Sequence, residues 1–513
     1  LKGLGSVEEI KARASKALDN KELWRSLLQD CYEYMMPQRE VWNDYSPGYR
    51  KTDRIFDSTG LIAIKEFANR MMGAITPQGT VWAELELGLN WPKEAREDIE
   101  VSRQLRDINE TLFAYINNSN FYEVMGEAYL DLALGTAAIT VEEGDADRPL
   151  VFGLVNQAEV GYDSGPSGII ENLYRKKKYP ARNLKRAFPG IVLTQALKDM
   201  VKSNPDEKVE LLECMMFDTK TKEYWIVVIH DDSVIWEVNR GETSPWIAFR
   251  WSVTPGETRG RGPALDAIQD VKTLNKIQEF ALQKAAIDLS GLWTGQDDGI
   301  FNPYSVQIAP GTVIPVSTNL SSNPSLQRLD TGGDLNLTQF EVQRMQASIK
   351  MHMYNDIRDP VGPVRSATEV AITQRELASR IGSSFGRIQN EALVKILNAS
   401  AAVLKRIGFI PDVVIDGSDV AVKFTSPLSR AQDMQDLEVM QRSVAMTAQL
   451  AGPEAVAASY KVDDFGSFIG MKTGLDPSLI RSDEEKQVLM QQMAQMQMAQ
   501  MQQGAEDGGE AIQ

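Results

Sequence analysis

The side chains best suited to catalysis are scarce in this chain. Its 513 residues include two histidines, His230 and His352, and two cysteines, Cys31 and Cys214. A zinc centre draws on several His or Cys ligands at close spacing, so no such cluster is expected, nor a histidine-driven acid–base site. The cysteines could form a bridge, but two small buried hydrophobes account for them more simply. Glu142, Glu143, Asp145 and Asp147 could offer oxygens to a hard cation, yet their spacing completes no calcium loop, and a solvated hairpin turn explains them better. Asp231-Asp232 and Asp297-Asp298 read as loop charges. There is no G-x-x-x-x-G-K-[ST] for a phosphate loop. Arg259-Gly260-Arg261-Gly262 runs into Pro263-Ala264 and so fails as a dinucleotide fingerprint; a turn followed by a helix start fits it. No metal, no cofactor and no enzymatic centre are expected.

Two other stretches could bind rather than react. Tyr174-Arg175-Lys176-Lys177-Lys178-Tyr179, with Arg182, Lys185 and Arg186 close behind, is the densest basic run. It reads as a possible surface patch touching phosphates, or as lysines that guard an edge strand. The second stretch is "RDPVGPVRSATEV" at 358–370. Ser366-Ala367-Thr368-Glu369 has the form of a capping box, which occupies the groups that would otherwise face an anion. Pro360, Gly362 and Pro363 disfavour helix and strand alike. What remains is a short, stiffened loop: Arg358 and Asp359 enter it, Val361 and Val364 crest it, and Arg365 leaves it. An ordinary interhelical connection is the plain alternative.

Composition narrows the class. Hydrophobic residues make up 43% and charged residues 24%, as in a soluble globular protein. The opening stretch is charged and helix-like, so no signal peptide is expected. No apolar run reaches the ~18 residues of a membrane span. Lys plus Arg total 54 against 71 Asp plus Glu, a net charge of −17. A protein that grips nucleic acid by its phosphates is usually basic. This one would repel DNA on average, unless its task is to let DNA pass without adhering.

The elements that must position these stretches follow from periodicity. Helices are predicted near 6–36, 58–74, 92–118 and 121–135, with a strand in "TVWAELEL". Between 137 and 253 the pattern turns to short β-branched and aromatic runs: "AAITVEE", "LVFGLV", "KVELLECMMF", "EYWIVVIHD", "SVIWEV" and "PWIAFRW". Two short helical stretches interrupt them near 181–188 and 194–203. This predicts an α+β unit dominated by an antiparallel meander. From 262 to 290 Leu265, Ile268, Val271, Leu274, Ile277, Ala281, Ala285 and Leu289 form one stripe at spacings of three and four. Residues 291–335 are rich in Gly, Pro, Asn and Ser and predict a small loop-and-strand module. A returning helix is predicted over 337–357, and a very long one over 366–408, where Gly382 and Gly386 mark a kink or a close helix approach. "DVAVKFTS" predicts a strand, and helices follow from 427. The Met/Gln-rich end forms either a soft helical seam between copies or a frayed tail.

This order resembles the portal (head-to-tail connector) proteins of short-tailed bacteriophages. The likeness rests on "RKTDRIFDSTGLIAIKEFANRMMGAITPQGTVWAEL" at 50–85, "RWSVTPGETRGRGPALDAIQDVKTLN" at 250–275 and "SATEVAITQRE" at 366–376. The resemblance implies a portal-type fold with an α+β wing from 1–255 and 366–425. It implies stem helices at 256–290 and 336–357 and a clip at 291–335. A channel loop at 358–365, a crown at 426–480 and a helical barrel or disordered tail at 481–513 complete it. It further implies a ring, as a dodecamer, at one capsid vertex of the virion, formed in the host cytoplasm during assembly. Double-stranded DNA would be packaged and ejected through that ring. The implied partners are identical copies, a terminase motor, a tail adaptor, and capsid and scaffold proteins, with no membrane. Striped helices that cannot bury their apolar face alone would find a partner face on neighbouring copies. Leu274→Asp, which breaks the stem stripe with a buried unpaired charge, is expected to prevent stable rings. The alternatives are a metal-dependent nucleic-acid-processing enzyme and a non-conducting tail or scaffold assembly protein.

Overall fold

The computed structural model describes residues 3–39, 51–88, 99–290, 292–295, 326–329, 335–356, 367–411 and 420–462, with isolated positions beyond these. The chain divides into two compact units. One comprises Leu1–Met72, Glu110–Asp359 and Ser383–Ile415; the other comprises Gly73–Asn109, Pro360–Gly382 and Asp416–Gln513.

The first unit begins with α1 (Val7–Met35), started by a capping box in which Ser6 and Glu9 satisfy each other's backbone N–H groups. Its core is a five-stranded antiparallel sheet in the order β4-β5-β6-β7-β8. These strands are Val160–Ser164, Ile170–Pro180, Lys208–Asp218, Glu223–His230 and Ser233–Gly241. Successive side chains on a strand point to opposite faces, and the packing follows that rule. Tyr174, Cys214, Met216, Val227 and Ile229 meet Ile10, Ala14 and Ala17 of α1. Leu173, Met215 and Ile226, on the other face, meet Ala138, Trp246 and Ala248. Those residues belong to a second sheet, β3-β2-β9 (Arg148–Leu154, Thr136–Asp145, Trp246–Arg250). Further along that face, Val209, Leu211 and Val228 are covered by Leu184 of α5 (Leu184–Ala187) and Leu197 of α6 (Gln195–Ser203).

Both cysteines are buried and free, as small hydrophobes. The acidic run Glu142–Asp147 lies at the β2–β3 hairpin, where Asp145 pairs with Arg148 and the carboxylates face solvent.

The basic run needs a correction. Residues 170–180 form β5, a strand with partners on both sides, so period two splits the run between faces. Arg175 is not on the surface: it is 7% exposed, and its Nε and Nη2 both donate to Glu213, itself buried. Its guanidinium stacks on Trp246, and the Tyr179 hydroxyl donates to the other Glu213 oxygen. Lys176 and Lys178 remain exposed, and Lys177 is half-buried. The β4 pairing ends at Arg175, so the lysines occupy the part of β5 that β4 does not flank. Four consecutive charges, Arg175–Lys178, mask the period of β5 in the sequence.

Helices α2 (Thr59–Ile75), α3 (Ile99–Asn118), α4 (Phe121–Leu132), α7 (Pro263–Ser290) and α8 (Leu335–His352) fall close to their predicted spans. The long helix is α9 (Ala367–Ile388), a π turn (Gln389–Leu393) and α10 (Val394–Ile407), stopped by Gly408 at φ 91°. Among the described residues outside its own helix turn, a Cβ on Gly382 or Gly386 would meet no atom within 4 Å. The irregularity instead sits at the π turn. There Glu391 accepts from the Arg250 backbone N at 3.0 Å, from Nε at 3.2 Å and from Nη2 at 2.7 Å. A π turn reorients side chains, and this one delivers a carboxylate to β9.

In the second unit β1 (Ala83–Leu87) pairs antiparallel with β12 (Val420–Phe424), Ala83 opposite Phe424. Thr425 extends the pairing to Trp82, and the Asn109 amide donates to Ala83 O at 3.2 Å. Ser426 caps α11 (Pro427–Ala451), with Pro427 at its first turn, and α12 (Pro453–Ser459) follows. Among the described residues no helix is long and apolar enough to cross a membrane.

Candidate functional site

Two of the stretches that carry the family likeness, 50–85 and 250–275, touch through residues 54–57 and Asn275 at the root of a helical hairpin, α7 and α8. The entry to α7 is knitted to the end of α4. Ala264 N donates to Ala133 O at 2.9 Å, Trp251 N to Gly135 O at 2.9 Å, and Gly260 N to Thr136 Oγ1 at 2.8 Å. This packing needs Gly262 and Gly260: a Cβ there would lie 2.3 Å from Ala133 O and 2.3 Å from Gly135 O. The R-G-R-G run is therefore the turn and helix start that its sequence implied, with backbone approach as the reason for its glycines.

Between the glycines and the sheets lies Arg259, fully buried. Nη1 donates to Gln157 Oε1 at 2.9 Å and Nη2 to Val160 O at 2.9 Å, and the guanidinium sits 4.8 Å from the Tyr162 ring centre. Burial pushes its pKa down, opposed by Tyr162 and Tyr32. A buried cation held by carbonyls and a ring face fixes three elements at once.

Asp131, on α4, is buried beside Tyr32 and Arg39. It accepts from the Tyr32 hydroxyl at 3.3 Å and from Arg39 Nη2 at 3.1 Å. Burial raises its pKa to about 6, against the pull of Arg39 and the Tyr32 hydrogen bond. A carboxyl that holds its proton more tightly when folded contributes stability below its unfolded pKa and loses it as pH rises through the folded value. Wild type is therefore expected to lose roughly 3 kcal/mol relative to Asp131→Asn between about pH 4 and pH 7.5, read by urea unfolding. Parallel pH profiles for the two proteins would show instead that Asp131 stays ionised throughout.

The hairpin root is then tied to α2. Asn275 is buried; its Oδ1 accepts from Phe56 N at 2.7 Å and Asp57 N at 3.3 Å, and its Nδ2 donates to Arg54 O at 2.8 Å. Asp57 caps α2 by accepting from Thr59 N at 2.8 Å and also takes Gln346 Nε2 of α8 at 3.0 Å. Ser348 Oγ donates to Asp270 Oδ2 at 2.7 Å, joining the two hairpin helices, and Lys272 pairs with Asp30 of α1 at 2.8 Å. Asn355 Nδ2 reaches Ala63 O of α2 at 2.6 Å. Sequence reading missed Asn275 as a fastener. The available signal was an amide adjoining an apolar stripe, where nothing polar is otherwise needed.

Burial changes sharply along α7. Leu265, Ile268, Val271 and Leu274 are buried within the subunit, Leu274 to 1% exposure. Leu274 is therefore closed within the subunit's own core, where a charge introduced by substitution acts on folding before it acts on assembly. Beyond Asn275 the stripe opens, with Leu282 50% and Leu289 89% exposed. At 100° per residue these two, seven apart, share the face of the buried stripe, while Phe280 and Ile287 share the opposite one. Phe280 is 56% exposed, and on α8 Phe340 is exposed too. The distal hairpin thus offers apolar side chains on two faces.

At the tip, β10 (Leu292–Gly295) and β11 (Leu326–Leu329) pair antiparallel. The remainder of the predicted loop-and-strand module, the loop Arg358–Arg365, its capping box and the Met/Gln-rich tail lie outside the described residues. Among the described residues no three His, Cys, Asp or Glu side chains converge on a point that could hold a metal.

Residues 7–480 match the family described as bacteriophage head to tail connecting protein. The chain is 25% identical to the "Probable portal protein" of Bordetella phage BPP-1, covering 92% of this chain and 88% of that one. It is 22% identical to the "Portal protein" of Salmonella phage epsilon15, over 95% and 91% of the two chains. A solved structure titled "Virion of native gene transfer agent (GTA) particle" aligns with TM-score 0.36 and 10% identity, over 85% of this chain and 98% of that one. With a match spanning nearly its whole length, the chain belongs to the bacteriophage head-to-tail connecting family, the portal proteins.

Proposed function

We propose that this portal protein is a non-enzymatic structural ring, a dodecamer at one capsid vertex of the virion, through which double-stranded DNA is packaged and ejected. The observation that carries the ring is the α7/α8 hairpin. Its root is bolted into the subunit, and its distal half leaves Phe280, Leu282, Leu289 and Phe340 open to solvent. Head-to-tail packing of identical copies presents each subunit with two different neighbours, and apolar groups on two faces suit that arrangement. The hairpin acts as the stem at 256–290 and 336–357, its tip at 291–335 as the clip that meets the terminase motor and tail adaptor. The wing is 1–255 with 366–425, and the crown 426–480, extended by the tail at 481–513. The net charge of −17 favours sliding of DNA over adhesion. Capsid and scaffold proteins are further partners, met in the host cytoplasm during assembly.

Electron microscopy of the purified full chain, with mass measurement, tests the proposal. The expected result is a closed ring with an axial opening wide enough for a duplex, and a compact monomer under assembly conditions would overturn it. The loop Arg358–Arg365 is assigned to the channel. Deleting 359–364 is expected to leave ring formation intact while packaging or genome retention falls; loss of ring formation would remove the loop from the channel.

A further inference from the structure

Two arginines of the first unit, Arg240 and Arg406, converge on one small cavity. Strand β8 is an edge of the five-stranded sheet and ends in a bulge: Trp225 pairs with Asn239 and Tyr224 with Gly241, leaving Arg240 as the extra residue. The bulge is built deliberately. Gly241 has φ 76°, and its N–H donates to Asn239 Oδ1 at 2.7 Å. Bulges re-aim side chains, and this one turns Arg240 into a small cavity where Arg406, from the last turn of α10, also lies. Val141, Pro245, Ala399, Ala402 and Val403 supply aliphatic walls.

Neither guanidinium has a hydrogen bond or ion pair among the described residues, and the Arg240 Nε is buried with no partner. Burial first, and then the Arg406 charge, push the Arg240 pKa down; Glu142 and Glu143 act the other way from a distance. The contrast with the buried arginines is plain. Arg175 and Arg250 each hold a carboxylate, and Arg259 is saturated by carbonyls and an amide oxygen. Arg240, half-buried with its Nε shut off from any partner, costs free energy in the isolated chain unless an anion completes it, and the exposed Arg406 beside it adds a second like charge.

We propose that the Arg240/Arg406 cavity receives an Asp or Glu side chain from a second copy of this chain, forming an intersubunit ion pair. Aliphatic walls suit the methylene stem of a carboxylate side chain better than a strongly hydrated phosphodiester. The chain carries 71 Asp and Glu against 54 Lys and Arg, so an identical neighbour presents surplus carboxylates. Paired guanidinium groups match carboxylate geometry. The inference rests on the ring proposed above.

The test uses the full chain with Arg240→Met and, separately, Arg406→Met, each keeping the aliphatic stem. Ring fraction is followed by sedimentation against protein and salt concentration, beside the melting temperature of the dissociated subunit. The expected result is a ring midpoint raised at least tenfold with a weaker salt dependence, while the subunit melts at the wild-type temperature or above. An unchanged midpoint overturns the inference, as does a midpoint that shifts only together with a lowered melting temperature, the mark of an internal structural role. Wild-type rings with variants that lose only binding to a short DNA duplex would make phosphate the ligand and likewise overturn it. Wild-type protein that forms no ring fails the ring reading itself and takes this inference with it, a result distinct from variants that assemble normally.

Discussion

A chain carrying Leu274→Asp is expected not to yield a folded subunit at all. Leu274 is 1% exposed, one turn from Val271 and adjoining the Asn275 fastener. Removing a buried leucine costs about 2–5 kcal/mol, and an unpaired buried carboxylate adds several more or shifts to its neutral form at a comparable cost. That sum rivals the roughly 5–15 kcal/mol of a whole domain. The check is the soluble yield and the urea transition of the purified chain. A normal transition with absent rings would return Leu274 to an intersubunit face and misplace the hairpin root.

The opposite result is expected further along the same helix face, about two and four turns beyond Leu274. Leu282→Asp with Leu289→Asp alters side chains that are 50% and 89% exposed, so the subunit should keep its urea midpoint within about 0.5 kcal/mol per site. In a ring, however, both carboxylates would be forced into the apolar contact between stems. A buried charge without a partner costs several kcal/mol, and each interface around the ring bears it. Ring formation should therefore fall by a factor of a hundred or more, with folded monomer left in its place. Analytical ultracentrifugation beside circular dichroism separates the two effects. Rings at the wild-type midpoint would show that the distal hairpin does not touch its neighbours.

Together the two variants separate a half of the helix that is closed within the subunit from a half that is left exposed. Periodicity could not make that division. Leu265 through Leu289 repeat at the same spacing, and a stripe records only which side of a helix is apolar. What covers the stripe depends on residues far away in the chain: Gly60 packs close to Val271, whereas Leu289 is left 89% exposed.

The basic run shows the same limit from the other side. Read in line, Arg175 to Lys178 resemble a patch. Once β5 forms, alternate residues leave by opposite faces, and Glu213, thirty-eight positions away, takes the first arginine. Gly382 and Gly386 similarly drew attention by type, while the actual irregularity at Gln389–Leu393 arises where Glu391 meets Arg250, 141 positions away. Neither partnership leaves a local mark.

By itself the sequence determined the long helices, the strand-rich middle, the turn and helix start at 259–263 and the scarcity of catalytic side chains, because these follow from residue type and spacing over a few turns. It also carried the family likeness, through stretches at 50–85, 250–275 and 366–376, the first two of which touch through Asn275, a contact that no spacing rule would show. The tertiary structure alone decided which apolar faces are closed, which arginines are paired and where Arg240 points, because burial and ion pairing depend on groups brought together from remote parts of the chain.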